Sequence, residues 1–321
     1  MGKKIILVGA GFMAMEYAKV LSAMPYDFAI VGRGEESAKK CEEKIGLAVY
    51  RGGVEKYLNE IDECPQMAIV AVHSTSLRNV AEYLMIHGIK KILLEKPGGI
   101  DYREISALSD VANKTKTELY VAYNRRFYAS VERAQEIIKE DGGVSSFNFE
   151  FTEWSHVIES LPRQKEELEN LFMSNSSHVV DLAFFLGGEP REMSSYVCGK
   201  MPWYSKASAF AGAGISKNGA IFSYKANWKS AGRWSVEILT EKRKLLFEPL
   251  EQLKIQNRGE IKIEQVKIDD KIDLDFKAGL FKQVEAFISG DTKKMIDIHE
   301  QKKHAEIYQL MEKTGFSSFC S

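Results

Sequence analysis

The chain has 321 residues, and at about 150 residues per domain that length predicts two domains. Hydrophobic residues make up 45% and charged residues 28%, a globular composition that excludes a disordered chain. Lys and Arg (44) balance Asp and Glu (45) to a formal charge of −1, so the basic footprint of a nucleic-acid binder is absent.

Residues 3–8 form a short apolar run rich in β-branched residues, which predicts a buried parallel strand. Gly9, Gly11 and Ala14 then open a helix that runs to about Met24 and stops before Pro25. Strand signals return at 27–31, 67–72, 92–94 and 118–122, with helical patterns at 35–45, 76–87 and 101–114. This alternation predicts βαβ units and a parallel sheet covered on both faces. After Phe127 the pattern changes. A helix over 127–140 ends at Gly142-Gly143, and strands are predicted at 144–154 and 191–200. Hairpins are expected over 206–228 around Asn218-Gly219, over 234–248, and over 252–268 around Asn257-Arg258-Gly259. Helices interrupt them at 176–186, 279–289 and 299–313. The predicted division is 1–123, a domain of alternating strands and helices, and 124–321, an α+β domain.

No stretch approaches the ~18 uninterrupted apolar residues of a membrane span, so no membrane partner is expected. Lys3 and Lys4 before Ile5–Val8 imitate a signal peptide, but the glycines that follow fit strand–turn–helix better. Ile6 stands where a myristoylation signal needs Ser or Thr. Cys41, Cys64, Cys198 and Cys320 show no metal spacing and read as reduced thiols, Cys320 as a mobile one near the end of the chain. A cytoplasmic protein without a metal site is the expectation.

Gly9-x-Gly11-x-x-Ala14 after a strand and at a helix start is the arrangement that binds a dinucleotide pyrophosphate. The first Gly makes the turn, the second admits the phosphates, and the small third residue permits close packing. Phe12 and Met13 begin the helix whose free N–H groups face the anion. At the end of the second strand, Gly32 stands where an acid usually accepts bonds from the adenosine ribose, and Arg33 follows. A guanidinium suits a 2′-phosphate, which predicts NADP(H) over NAD(H). Glu35 or Glu36 reaching the ribose is the alternative.

Three motifs in order carry a resemblance: Gly9-Ala10-Gly11-Phe12-Met13-Ala14, Glu95-Lys96-Pro97 at a strand end, and Tyr123-Asn124-Arg125-Arg126-Phe127 after the next strand. The sequence resembles the glucose–fructose oxidoreductase, inositol dehydrogenase and rhizopine-catabolism (Gfo/Idh/MocA) family over nearly its whole length. The resemblance implies a fold of class α/β, with an N-terminal Rossmann domain and a C-terminal α+β domain carrying a large, open, mainly antiparallel sheet. It also implies hydride transfer between a nicotinamide and a hydroxyl or keto carbon of a sugar, cyclitol or nucleotide-sugar. Lys96, at the carboxyl end of a parallel strand, is placed to stabilise charge on the reacting oxygen, and Glu95 to hold Lys96 or touch the nicotinamide. His73 occupies a position where the family contacts the cofactor, and is equally placed in a cap with Ser74 and Thr75.

In the family a helix start carries Asp-x-x-x-His, whose His exchanges the substrate proton. Here His178 and Asp181 match, but Ser174 replaces the Asp. Asn175 is then a candidate substrate contact, with Asn124, Arg126 and Arg163, the last as a reader of carboxylate or phosphate. Family members pair their sheets, so a homodimer or homotetramer is expected. The competing function is a dinucleotide-binding regulator or inactive paralogue, which the missing Asp favours.

Overall fold

The computed structural model describes residues 5–319. The signal-like lysines Lys3 and Lys4 and the thiol expected at Cys320 lie outside the described residues. The chain forms two compact units, Met1–Asn124 with Ile272–Ala305, and Arg125–Lys271 with Glu306–Ser321. The sequence alone predicts a single division, at 123/124. The difference is the segment Ile272–Ala305, which returns to the first unit.

In the first unit the parallel strands are β1 (Ile5–Val8), β2 (Phe28–Val31), β3 (Val49–Tyr50), β4 (Met67–Val70), β5 (Lys91–Leu94) and β6 (Glu118–Val121). Their order is β3-β2-β1-β4-β5-β6, and Ile296–Asp297 adds an antiparallel edge beside β6. Ile6, Leu7, Ile69 and Leu93 are fully buried because helices cover both faces, which is why these strands read as unbroken apolar runs. Strand order reverses at β1, and such a reversal opens a crevice at the carboxyl ends of the strands. Within this unit the returning segment packs its helix Leu280–Ser289 against the helix Phe12–Ser22.

The second unit holds β7 (Ser146–Glu150), β8 (Pro190–Cys198), β9 (Ala209–Ser216), β10 (Ile221–Asn227), β11 (Ser235–Leu239), β12 (Arg243–Phe247), β13 (Lys254–Asn257) and β14 (Glu264–Gln265). The order is β14-β13-β12-β11-β7-β10-β9-β8, with Gly315–Ser318 pairing beyond β8. All neighbours are antiparallel except β7 and β10. Strand alternation puts Phe147, Phe149, Phe222 and Tyr224 on one face under the helix Ser177–Gly187. Phe149 meets Phe184 of that helix edge-on at 5.5 Å. Burial of each such ring contributes about 2–3 kcal/mol. The opposite face carries the exposed Asn148, Ser223 and Lys225. Among the described residues no helix is long and apolar enough to cross a membrane.

The helix Ala129–Glu140 ends at Asp141, whose buried carboxylate accepts bonds from Thr240 Oγ1 (2.8 Å), Arg243 Nε (2.9 Å) and Arg243 Nη2 (2.6 Å). The Arg243 guanidinium holds this carboxyl below the usual range. A depressed folded pKa stabilises above the unfolded value, and that contribution is lost as pH falls through the folded one. Asp141→Asn is therefore expected to cost about 1–3 kcal/mol at neutral pH and to flatten the loss of stability below about pH 4. Urea melts of both proteins across that range check it.

Candidate functional site

In the first unit the strand-to-helix turn after β1 borders a cavity of about 670 Å³. Gly9 has φ +130°, and a Cβ there would lie 2.2 Å from the Ala71 carbonyl oxygen, so only glycine fits. At Gly11 a Cβ would meet nothing within 4 Å, which leaves the backbone open to a ligand rather than to neighbouring protein. The helix that follows has no side-chain cap and no acid in its first turn. Its N–H groups are thus available to an anion, and a dinucleotide pyrophosphate fits the turn.

Gly9, Gly11, Phe12, Met13, Arg33 and His73 all line this cavity, joined by Ser37, Gly53 and Asn79. Gly32 does not line it. A Cβ on Gly32 would press on Val49 at 3.1 Å and Ala10 at 3.2 Å, so packing explains this glycine. The neighbouring acids are engaged elsewhere: Glu35 accepts from Arg51 Nε (2.9 Å) and Glu36 from Lys40 (2.6 Å). His73 caps the short turn Ser74–Ser76, its Nδ1 accepting from the Thr75 N–H at 3.4 Å, while Ser76 gives the next helix no side-chain cap.

Glu95 and Lys96 directly follow β5, a strand of the same sheet as β1. Glu95 is buried and accepts from Tyr17 Oη at 2.8 Å. Burial pushes its carboxyl above the ordinary range, against the opposing pull of Lys96, Tyr17 and Lys277. Lys96 is half-buried. The peptide to Pro97 is cis, and Gln301, fully buried, donates to the Pro97 carbonyl at 2.8 Å and meets Tyr123 Oη at 3.1 Å. Asn124 turns its amide to the Ala278 carbonyl at 2.9 Å, an anchor for the returning segment.

In the second unit His178 is buried near the start of its helix, 6.1 Å from the Trp234 ring. A π-helical turn, Phe172–Ser176, precedes it, a distortion that is frequent at functional sites. Ser174 is buried and its hydroxyl lies 3.4 Å from the Leu171 carbonyl. Another carboxylate stands close by. Glu153, at 1% exposure, accepts from Asn175 Nδ2 (3.0 Å) and Ser176 Oγ (2.7 Å), with Arg233 at 3.6 Å. Burial raises its pKa, opposed by these donors. Arg233 in turn stacks on Trp154 at 4.7 Å and Trp234 at 4.5 Å.

Three substrate candidates have other occupations. Arg126 forms a buried bidentate pair with Asp181, at 2.9 and 2.6 Å, and stacks on Phe185 at 4.7 Å. This explains both residues by packing within the unit. Arg163, just before the short helix Lys165–Glu169, pairs with Glu167 of that helix. Asn175 is committed to Glu153.

The strand order and the glycine turn define a Rossmann-type dinucleotide-binding unit. Residues 3–123 match the model of the Gfo/Idh/MocA oxidoreductase family, described as an NAD-binding Rossmann fold. No curated protein sequence matches the chain. Among solved structures, it is similar in fold to an oxidoreductase from Agrobacterium radiobacter in complex with NAD+, L-tartaric acid and magnesium, at TM-score 0.79 and 14% identity, covering 99% of this chain and 98% of that one. A levoglucosan dehydrogenase in complex with NADH and L-sorbose aligns at TM-score 0.77 and 19% identity over 98% of each chain. UDP-N-acetylglucosamine 3-dehydrogenase from Acidithiobacillus ferrooxidans aligns at 0.71 and 17% over 97% of each.

Proposed function

We propose that this chain is an NAD(P)-dependent oxidoreductase acting on a hydroxyl or keto carbon of a sugar, cyclitol or nucleotide-sugar. The observation that carries it is the glycine turn, whose open Gly11 position and uncapped helix end face a cavity of about 670 Å³. When bound, the nicotinamide supplies or accepts the hydride. Lys96 hydrogen-bonds the reacting oxygen and stabilises its developing charge. His178 gives or takes the hydroxyl proton. The names of the similar dehydrogenases support a sugar-like substrate. A panel of sugars and nucleotide-sugars, followed by the absorbance of reduced nicotinamide, tests the proposal.

The cofactor is NADP(H) in preference to NAD(H). Arg33 lines the cavity, and the two acids that offered the NAD alternative are paired away from it. Arg33→Ala is expected to weaken NADPH by about ten- to a hundredfold, the worth of a charge-assisted contact, and NADH by less than twofold. Equal loss for both cofactors contradicts the preference. A second reading, a dinucleotide-binding regulator, is favoured by Ser174; tight cofactor binding with no turnover on any panel member decides for it.

A homodimer or homotetramer forms through the uncovered face of the second unit's sheet. Tyr196 and Ile221, 62% and 63% exposed, support this. Light scattering of the purified protein measures it.

A further inference from the structure

We propose that Lys277 binds the pyrophosphate of the dinucleotide, together with the amino end of the Phe12–Ser22 helix. The inference rests on the cofactor reading above and adds a residue far from the glycine motif in sequence.

Lys277 belongs to the segment that returns to the first unit. Its ammonium lies 5.7 Å from the centre of the Phe12 ring. Phe12 is the first residue of the helix, is 63% exposed, and borders the cavity. The ammonium therefore lies against the side chain of the residue that opens the helix. A cation over an exposed ring is weakly held, so a phosphate can draw it away without breaking a strong contact.

The backbone that carries Lys277 is fixed even though the side chain is exposed. The Leu280 N–H donates to the Lys277 carbonyl at 2.9 Å, and the Gly279 N–H donates to Asp273 at 2.8 Å. Asn124 donates to the next carbonyl, that of Ala278, at 2.9 Å. Among the described residues Lys277 forms no ion pair within 4.0 Å. Its field and that of Lys96 both act on the buried Glu95. Around Glu95 two ammonium groups thus act on one carboxylate, a positive balance even with Glu95 ionised. A doubly charged pyrophosphate complements that balance and the helix dipole together. A neutral nicotinamide ring does not.

Calorimetric titration of the full chain with NADPH, NADH, ADP-ribose and adenosine tests the assignment. ADP-ribose keeps the pyrophosphate and lacks the nicotinamide; adenosine lacks both. Lys277→Ala is expected to weaken both dinucleotides and ADP-ribose by about tenfold or more, with adenosine unchanged. Lys277→Arg should restore most of the affinity, and Lys277→Glu should lose more than alanine does. The salt dependence of NADPH binding should become shallower in Lys277→Ala. Unchanged ADP-ribose affinity in Lys277→Ala overturns the proposal, including the case in which only the dinucleotides weaken, because the contact then lies on the nicotinamide half. A wild-type chain that binds neither dinucleotide overturns the cofactor reading and this inference with it.

Discussion

Replacing Lys96 by methionine is expected to lower kcat/KM by about a hundred- to a thousandfold on any sugar that the wild type turns over. Methionine keeps the length and apolar body of the side chain and removes only the charge. The expected loss is in kcat, because an ammonium on the reacting oxygen matters most when that oxygen becomes negative. Dinucleotide affinity should change little, since the cavity around the glycine turn is lined by other residues. The fold should survive as well. Lys96 is half-buried, and Glu95 keeps its bond from Tyr17 and the field of Lys277. Activity that persists in this variant refutes the role given to Lys96.

The second large effect is on stability. Asp181 is fully buried and Arg126 nearly so, and their forked pair leaves each charge dependent on the other. Arg126→Met leaves a carboxylate stranded in the interior and is expected to cost about 3–5 kcal/mol in urea unfolding. The double variant Arg126→Met with Asp181→Leu should recover much of that loss, because no uncompensated charge remains. Had Arg126 been a substrate contact, the single variant would raise KM and leave the unfolding midpoint in place. A midpoint within the error of wild type contradicts the structural role.

The N-terminal half was legible because its chemistry is local. The turn at Gly9 and Gly11 is set by adjacent residues, and the buried strands announce themselves as apolar runs. Two residues suffice for β3, too few for any periodicity, and neither it nor the helix Gly53–Glu60 was foreseen. Glu153 was readable and was overlooked. It continues the alternation of Phe147, Phe149 and Phe151, so a strand register already placed it in phase with the core. The pairing of Arg126 with Asp181 could not be read from motifs, because the partner lies 55 residues away. Gln301 and Lys277 were beyond the reach of motif reading. They approach Pro97 and Phe12 only because the chain returns to the first unit after residue 271.

Hydride transfer to or from a carbohydrate carbon is the claim on which the rest depends. The most direct measurement uses reduced cofactor deuterated at nicotinamide C4, incubated with a panel of keto-sugars and keto-nucleotide-sugars, with the products analysed by mass spectrometry and NMR. The expected result is one deuterium on the carbon that becomes the new carbinol, absent when Lys96→Met replaces the wild type. Wild-type protein that binds the cofactor and delivers no label to any member of the panel would contradict the account.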